Sequence, residues 1–226
     1  MNLALLHVCD SLFPLGGFAY SDGLEAATSE LKPATSQDSV EHLRAWLETL
    51  LEDSIGRLEG PVAWSAWRAF QDEDFALLVR LDEEAIALRP SSTARRSSRA
   101  MGQRLLATWN ALHPDPRLTH LTNLSAFAPA ALPVAFGAVC ASSGIPRRES
   151  VEAFAYTRLA ASVSAAMRLM PIGQTDAHRL LARALDAVPA VVESLAARDG
   201  EPESFTPMMD IAAMTQQYLH SRLFRS

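Results

Sequence analysis

The chain has 226 residues, 49% of them hydrophobic and 20% charged, so it can bury a sizeable core and lacks the composition of a disordered chain. Its formal net charge is −6 and Lys32 is its only lysine, which argues against binding nucleic acid through a basic face. We find no secretory signal, no apolar run long enough to span a membrane and no break in composition, and therefore expect one cytoplasmic domain over residues 1–226.

Helical spacing recurs along the first half of the chain, and alternating patterns of the strand type are nearly absent. Thr35 and Asp38 predict a helix N-terminus. The apolar residues that follow share one helix face: Leu43, Trp46, Leu47, Leu50 and Leu51. Pro61 is expected to open a second helix, and the acidic residues 72–74 a third that runs to about Leu88.

The second half also has helical spacing, beginning with a helix predicted over residues 94–112. Further helices are expected over residues 129–142, 147–170, 174–184 and 188–197. Residues 199–206 are expected to be a linker, after which Thr206 caps a last helix, with Pro207 in its first turn, that runs to about Phe224. The pattern predicts an all-α fold, a single-domain helical bundle of about eight to ten helices.

The sequence offers no convincing metal or catalytic site. The nearest group of possible metal ligands is His7, Cys9 and Asp10, but residues two apart on a helix point to different sides. A buried structural cysteine is the more ordinary interpretation, and Cys140 is far away in the sequence. Phosphate-binding glycine loops and hydrolase elbows are also missing from the sequence, so we expect no enzyme, no cofactor and no bound metal.

Four arginines are clustered on the helix predicted over residues 94–112, namely Arg95, Arg96, Arg99 and Arg104. One of them could be inserted into the phosphate site of a partner, as an arginine finger is. A solvated helix face with ion pairs inside the chain is the more ordinary interpretation of such a cluster.

Residues 10–25 interrupt the helical pattern with a proline, consecutive glycines and three aromatic side chains. Gly16 and Gly17 allow backbone angles that other residues rarely adopt. The aromatic residues Phe13, Phe18 and Tyr20 are costly to leave in water, so the segment is either folded into the core or covered by a partner. The residues by themselves favour neither interpretation.

At this segment the chain resembles the UreF family of urease accessory proteins, and the likeness extends over most of its length. Five blocks carry the resemblance in the right order: LFPLGGF at 12–18, RAMG at 99–102, PVAFG at 133–137, RLMPIGQ at 168–174 and SRLFRS at 221–226. The resemblance implies an all-α homodimer that takes part in building the nickel centre of urease. It also implies that the chain binds UreD (also called UreH) and recruits the GTPase UreG, in an assembly that delivers nickel to apo-urease.

On this resemblance we expect a non-catalytic scaffold with two partner-binding segments. The first consists of Phe18, Ala19, Tyr20 and Ser21, and the second of Arg222, Leu223 and Phe224. Many similar proteins have His-Glu where this chain has Gln216 and Gln217, and often His where it has Tyr20, so metal binding at these positions is not expected. The alternatives are a GTPase-activating regulator that inserts an arginine and a nickel carrier.

Overall fold

The computed structural model describes residues 2–124 and 130–225, and helices make up its regular structure. The α-helices are α1 (Leu3–Cys9), α2 (Leu24–Leu31), α3 (Ser36–Thr49), α4 (Gly60–Gln71), α5 (Phe75–Ala87), α6 (Ser92–Leu112), α7 (Pro116–Asn123), α8 (Leu132–Ser142), α9 (Arg147–Leu169), α10 (Gln174–Ala197) and α11 (Pro207–Thr215). A π-helical segment, Leu50–Glu59, joins α3 to α4 without a break. If α3, this segment and α4 are counted as one helix, the described residues contain ten helices, short 3₁₀ turns aside. The predicted all-α fold is confirmed.

Helix α8 lies in the middle of the bundle, packed between α4 and α6. Its residues from Leu132 to Ala141 are all buried, which fits an apolar helix that is covered on every side. The predicted start of this helix at Pro129 lies outside the described residues. A second part of the core forms where α9 packs against α10 and α3, and Leu43, Leu159 and Leu195 are fully buried there.

Pro61 does not open a separate helix, contrary to the prediction. The backbone continues from α3 through the π-helical segment into α4, and the N–H of Gly60 donates to the carbonyl of Ile55, five residues back. The extra residue per turn accommodates a proline that lacks an N–H group. A proline in the first turn of a helix and one at such a junction look alike in the sequence.

Two backbone carbonyls of the π-helical segment accept hydrogen bonds from residues that follow α10. In a regular helix Arg57 would accept a hydrogen bond from residue 61, which is a proline, and the N–H of Glu203 donates to this carbonyl at 2.8 Å instead. The guanidinium of Arg198 donates to the carbonyl of Gly56, also at 2.8 Å. The irregular residues 201–206, which lie within the predicted linker, are therefore held against the bundle.

Residues 174–197 form a single helix, α10, and not the two shorter helices that were predicted. Pro189 lies inside α10 and is exposed, whereas Val188 and Val192 are buried against the core. Packing of Val188 and Val192 on the core keeps the helix continuous here, although Pro189 has no N–H to donate to the carbonyl of Leu185.

The last helix ends at Thr215, so the prediction that it runs to Phe224 is wrong. A 3₁₀ turn, Gln216–Tyr218, follows, and residues 219–225, called here the C-terminal tail, fold back onto the bundle. Thr206 precedes α11, but its hydroxyl donates to the carboxylate of Asp210 and does not cap the backbone. Backbone N–H groups of the tail donate to residues outside α11.

Candidate partner-binding surface

The glycine-containing segment forms a loop that is part core and part surface. We call residues 10–23 the N-terminal loop. Phe13 is 6% exposed and belongs to the core, Tyr20 is partly buried, and Phe18 is 72% exposed. Gly16 has φ of 74°, which glycine adopts without strain, and the guanidinium of Arg104 donates to the carbonyl of Leu15 at 3.3 Å. Folding into the core, one of the two interpretations that the sequence left open, thus holds for Phe13, whereas Phe18 lies on the surface.

A buried ion pair holds the end of the loop. Arg158 is 8% exposed and donates to Asp22 at 2.7 Å and to Glu59 at 3.2 Å. Burial raises the pKa of Asp22, but the charge and the hydrogen bond of Arg158 outweigh it, so the net pKa lies below the usual value. The next residue, Gly23, has φ of 98°, and a Cβ there would lie 2.6 Å from the backbone nitrogen of Ala213 in α11. A glycine is needed for α11 to pack this closely.

The structure brings the two predicted partner-binding segments together. The backbone N–H of Arg225 donates to the carbonyl of Ala19 at 2.8 Å. Arg168, near the end of α9, donates to the carbonyl of Phe18 at 3.0 Å, and its guanidinium carbon lies 4.2 Å from the ring centroid of Phe224. Residues more than two hundred positions apart in the sequence therefore form one surface.

A buried carboxylate anchors the C-terminal tail. Glu25, in the first turn of α2, is 6% exposed. It accepts hydrogen bonds from the backbone N–H groups of Leu223 and Phe224, the latter at 3.2 Å. Hydrogen bonds to a charged acceptor are stronger than those between neutral groups. Because these N–H groups donate to Glu25, Leu223 and Phe224 do not continue a helix.

Gln216 joins the loop to the tail from a position that is 3% exposed. Its amide oxygen accepts from the hydroxyl of Ser21 and from the N–H of Gly23, both at 3.1 Å. Its amide nitrogen donates to Glu25 at 3.4 Å and to the carbonyl of Arg225 at 3.3 Å. A glutamine can supply both donors and acceptors, so Gln216 can bridge the loop and the tail.

The seven predicted partner-binding residues differ in exposure. Phe18, Arg222 and Leu223 are exposed, and Ala19 and Tyr20 are partly buried. Ser21 and Phe224 are buried, so in this conformation they support the surface from beneath and do not contact solvent. Binding of partners at these residues stays a prediction.

Helix α11 carries an exposed apolar surface that the sequence reasoning missed. The α11 apolar face consists of Phe205, Met208, Ile211, Met214 and Tyr218, which are 80%, 74%, 53%, 45% and 79% exposed. The opposite side of the helix, with Met209, Ala212 and Ala213, is buried. Because α11 is apolar on both sides, the sequence does not show which side the bundle covers. The roles of Glu25 and Arg168 were missed as well, since their partners are distant in the sequence.

Three of the clustered arginines on α6 bond to their own chain. Arg95 donates to the carbonyl of Pro90 at 2.8 Å, Arg99 to the carboxylate of Asp82 at 3.0 Å, and Arg104 to the loop. Arg96 is exposed. Asp82 is almost fully buried, and burial raises its pKa although the hydrogen bonds and the charge of Arg99 act in the opposite direction. The ion pair of Arg99 fits the ordinary interpretation of the cluster, whereas Arg95 and Arg104 bond to backbone carbonyls.

Within the described ranges, no group of three or more His, Cys, Asp or Glu residues could hold a metal ion. His7 packs against aromatic rings, with its centroid 5.3 Å from that of Phe13 and 5.6 Å from that of Trp109. Burial raises the pKa of the Cys9 thiol to about 11 and raises that of Cys140 as well. No helix of the described residues is long and apolar enough to cross a membrane.

Comparison with known proteins decides the family. The UreF family model matches residues 38–185. The urease accessory protein UreF of Methylibium petroleiphilum is 34% identical over 229 residues, an alignment that covers 99% of this chain and 93% of that protein. The chain belongs to the UreF family. UreF of an Azoarcus species is also 34% identical, over 228 residues, with 99% of this chain and 95% of the relative covered.

Membership of the UreF family implies a role in urease maturation and confirms the resemblance seen in the sequence blocks. The region matched by the family model begins in α3 and ends in α10, whereas the alignments to whole UreF proteins also take in the N-terminal loop and most or all of the tail. A bifunctional urease accessory protein UreEF of Bordetella bronchiseptica is 31% identical over 230 residues. That alignment covers 99% of this chain but 51% of the relative.

Proposed function

We propose that this UreF chain is a non-catalytic scaffold for urease maturation, working in the cytoplasm as a homodimer. It binds UreD (UreH) and recruits the GTPase UreG, and the assembly delivers nickel to apo-urease. The observation that carries this proposal is the α11 apolar face, which lies on the same helix and turn as Gln216 and leads into the C-terminal tail.

The α11 apolar face has the composition of a protein-binding surface. Aromatic residues and methionine are enriched in such interfaces, and all five members of the face except Ile211 belong to these types. Fully burying a side chain of this size is worth about 1.5–3 kcal/mol, so a partner that covers the face gains several kcal/mol. Apolar surface of this kind, left exposed on a folded chain, marks an interaction site.

Two further observations support a place in a larger assembly. The partner-binding residues that we propose, at 18–21 and 222–224, lie where the loop and the tail meet, held by Glu25 and Gln216. The relative named UreEF shows that a UreF-like part can share one chain with a second part. We therefore include a UreE-type protein among the partners that work close to this chain.

Co-purification with UreD and UreG tests the proposal. The double variant Met208→Asp with Ile211→Asp places charges in the α11 apolar face, and both positions are exposed, so the fold is expected to persist. We expect recovery of at least one partner to fall by about tenfold or more, because losing about 1.4 kcal/mol weakens binding tenfold. Leu112→Asp is the matched control, since Leu112 is 53% exposed at the end of α6. Equal recovery with the double variant and the control would reject the proposed role of α11.

The alternative function, GTPase activation by an inserted arginine, predicts a different result. Arg96 and Arg104 are both exposed, but Arg104 is bonded to the N-terminal loop, so the alternative predicts that Arg96→Ala abolishes stimulated GTP hydrolysis by UreG while the complex still forms. The scaffold predicts that Arg96→Ala changes neither. Measuring GTP hydrolysis and complex formation on the same samples separates the two functions.

A further inference from the structure

An open groove of about 530 Å³ lies between the N-terminal loop and the C-terminal tail. Three arginines line it, Arg168, Arg222 and Arg225, and the exposed side chains of Phe18 and Leu223 form part of its wall. No residue that the structure places in its lining is acidic, although the chain as a whole carries a net charge of −6. We call this feature the arginine groove.

The guanidinium group of Arg168 is positioned by the fold. Arg168 donates to the carbonyl of Phe18 at 3.0 Å and to that of Ser164 at 3.3 Å, and it stacks on Phe224. Phe224 is in turn fixed through its N–H, which donates to Glu25. A guanidinium has five N–H donors, so these two bonds fix its plane and leave donor capacity in the group. Because Arg168 is already held in place, less side-chain entropy is lost at this position when a ligand binds.

We propose that the arginine groove binds an acidic segment of a partner protein that also carries a large apolar side chain. The argument is charge complementarity: carboxylates pair with guanidinium groups through bidentate hydrogen bonds, and the positive groove is set in a negatively charged chain. Phe18 and Leu223, which are 72% and 61% exposed, require an apolar side chain beside the carboxylates. A free phosphate has no apolar part and would leave both of them in water.

This inference rests on the proposed function, because the acidic segment is supplied by a protein that the scaffold recruits. It adds the chemistry of recognition at the groove, whereas the proposed function depends on the α11 apolar face. Because the arginines of the groove attract the carboxylates of the segment, we expect the segment to bind fastest at low salt and more slowly as salt screens these charges.

Fluorescence anisotropy with labelled peptides tests the inference on the full chain. The probe is the peptide DELFED, with KKLFKK as the charge control and DESSED as the control without apolar side chains. We expect DELFED to bind in preference to both. The double variant Arg222→Glu with Arg225→Glu should weaken DELFED binding by about tenfold or more, since both arginines are exposed in the groove. Arg183→Glu, an exposed arginine of α10, is the matched control and should change the affinity less than twofold.

Three results would overturn the inference: KKLFKK binding as tightly as DELFED, no binding of DELFED, or equal affinity in the double variant and the wild type. Circular dichroism of the double variant checks its helicity. Phe18→Ser supplies a second test that leaves the arginines in place, because it should remove the preference for DELFED over DESSED.

Co-purification with UreD and UreG separates failure of the inference from failure of the proposed function. If the wild-type chain forms the complex and the Arg222→Glu, Arg225→Glu variant forms it equally well, the inference is wrong and the scaffold function stands. If the wild-type chain recovers neither partner, the scaffold function is wrong, and the peptide titration still decides whether the groove recognises acidic segments.

Discussion

Glu25→Gln is the substitution that most directly tests how the candidate partner-binding surface is held together. The carboxylate of Glu25 accepts from the N–H groups of Leu223 and Phe224, and the amide of Gln216 donates to it as well. A glutamine has nearly the same shape but keeps a single acceptor oxygen, and its NH₂ group would face one of the N–H groups. The tail should therefore detach more often while the bundle remains folded.

The expected size of the effect follows from these contacts. A hydrogen bond to a charged group contributes about 1.5–3 kcal/mol, and a buried N–H left without a partner costs a similar amount. Glu25 is 6% exposed, so solvent does not replace the lost acceptor in the closed conformation. We expect the free energy of tail opening to fall by about 2–3 kcal/mol, which is a factor of about 30–150 in the opening equilibrium.

Hydrogen–deuterium exchange resolved to single residues measures this opening. The amides of Leu223 and Phe224 should exchange about 30–150 times faster in Glu25→Gln than in the wild type, because their exchange reports local opening. Amides in the fully buried part of α8 should keep their protection. Gln216→Ala is expected to act in the same direction, since it removes the bonds to the Glu25 carboxylate and to the carbonyl of Arg225 in the tail.

Glu30→Gln is the matched control, because Glu30 lies on the same helix and is exposed. It should leave exchange of the tail amides unchanged. If the tail amides of Glu25→Gln are as well protected as those of the wild type, the carboxylate does not hold the tail and the reasoning fails. The same conclusion would follow if Glu30→Gln released the tail equally.

Two further predictions concern packing and the cysteines. A Cβ at Gly102 would lie 2.3 Å from the carbonyl oxygen of Ala130, so Gly102→Ala should lower the free energy of unfolding in urea by about 1–3 kcal/mol. Gly173→Ala is the control, because its Cβ would meet nothing closer than 3.8 Å; an equal loss in both would contradict the packing argument. Burial raises the pKa of Cys9 to about 11 and raises that of Cys140, so iodoacetamide at pH 8 should modify both slowly in the folded chain and rapidly in urea. Fast labelling of the folded chain would show that the thiols are more accessible than the structure indicates.

Much of the fold could be predicted because its causes are local. The predicted cap at Thr35 is present, with the hydroxyl accepting from the N–H of Asp38 at 3.1 Å and the carboxylate of Asp38 accepting from the N–H of Thr35 at 3.0 Å. Leu43 and Leu47, on the predicted apolar face, are buried. The predictions failed at Pro61, where a helix was expected to begin. The proline cannot donate to the carbonyl of Arg57, and the N–H of Glu203, far away in the sequence, donates to this carbonyl instead.

The sequence by itself determined the helical class and, through five ordered blocks, the UreF family, because helix periodicity and motif spacing are properties of neighbouring residues. It also placed the two predicted partner-binding segments at opposite ends of the chain. Only the tertiary structure decided that these segments meet, that α11 exposes Met208 and Ile211, and that Phe224 is buried. The physical reason is that a backbone N–H of the tail can pair either within a helix or with a buried carboxylate. The fold places Glu25 where the second pairing occurs.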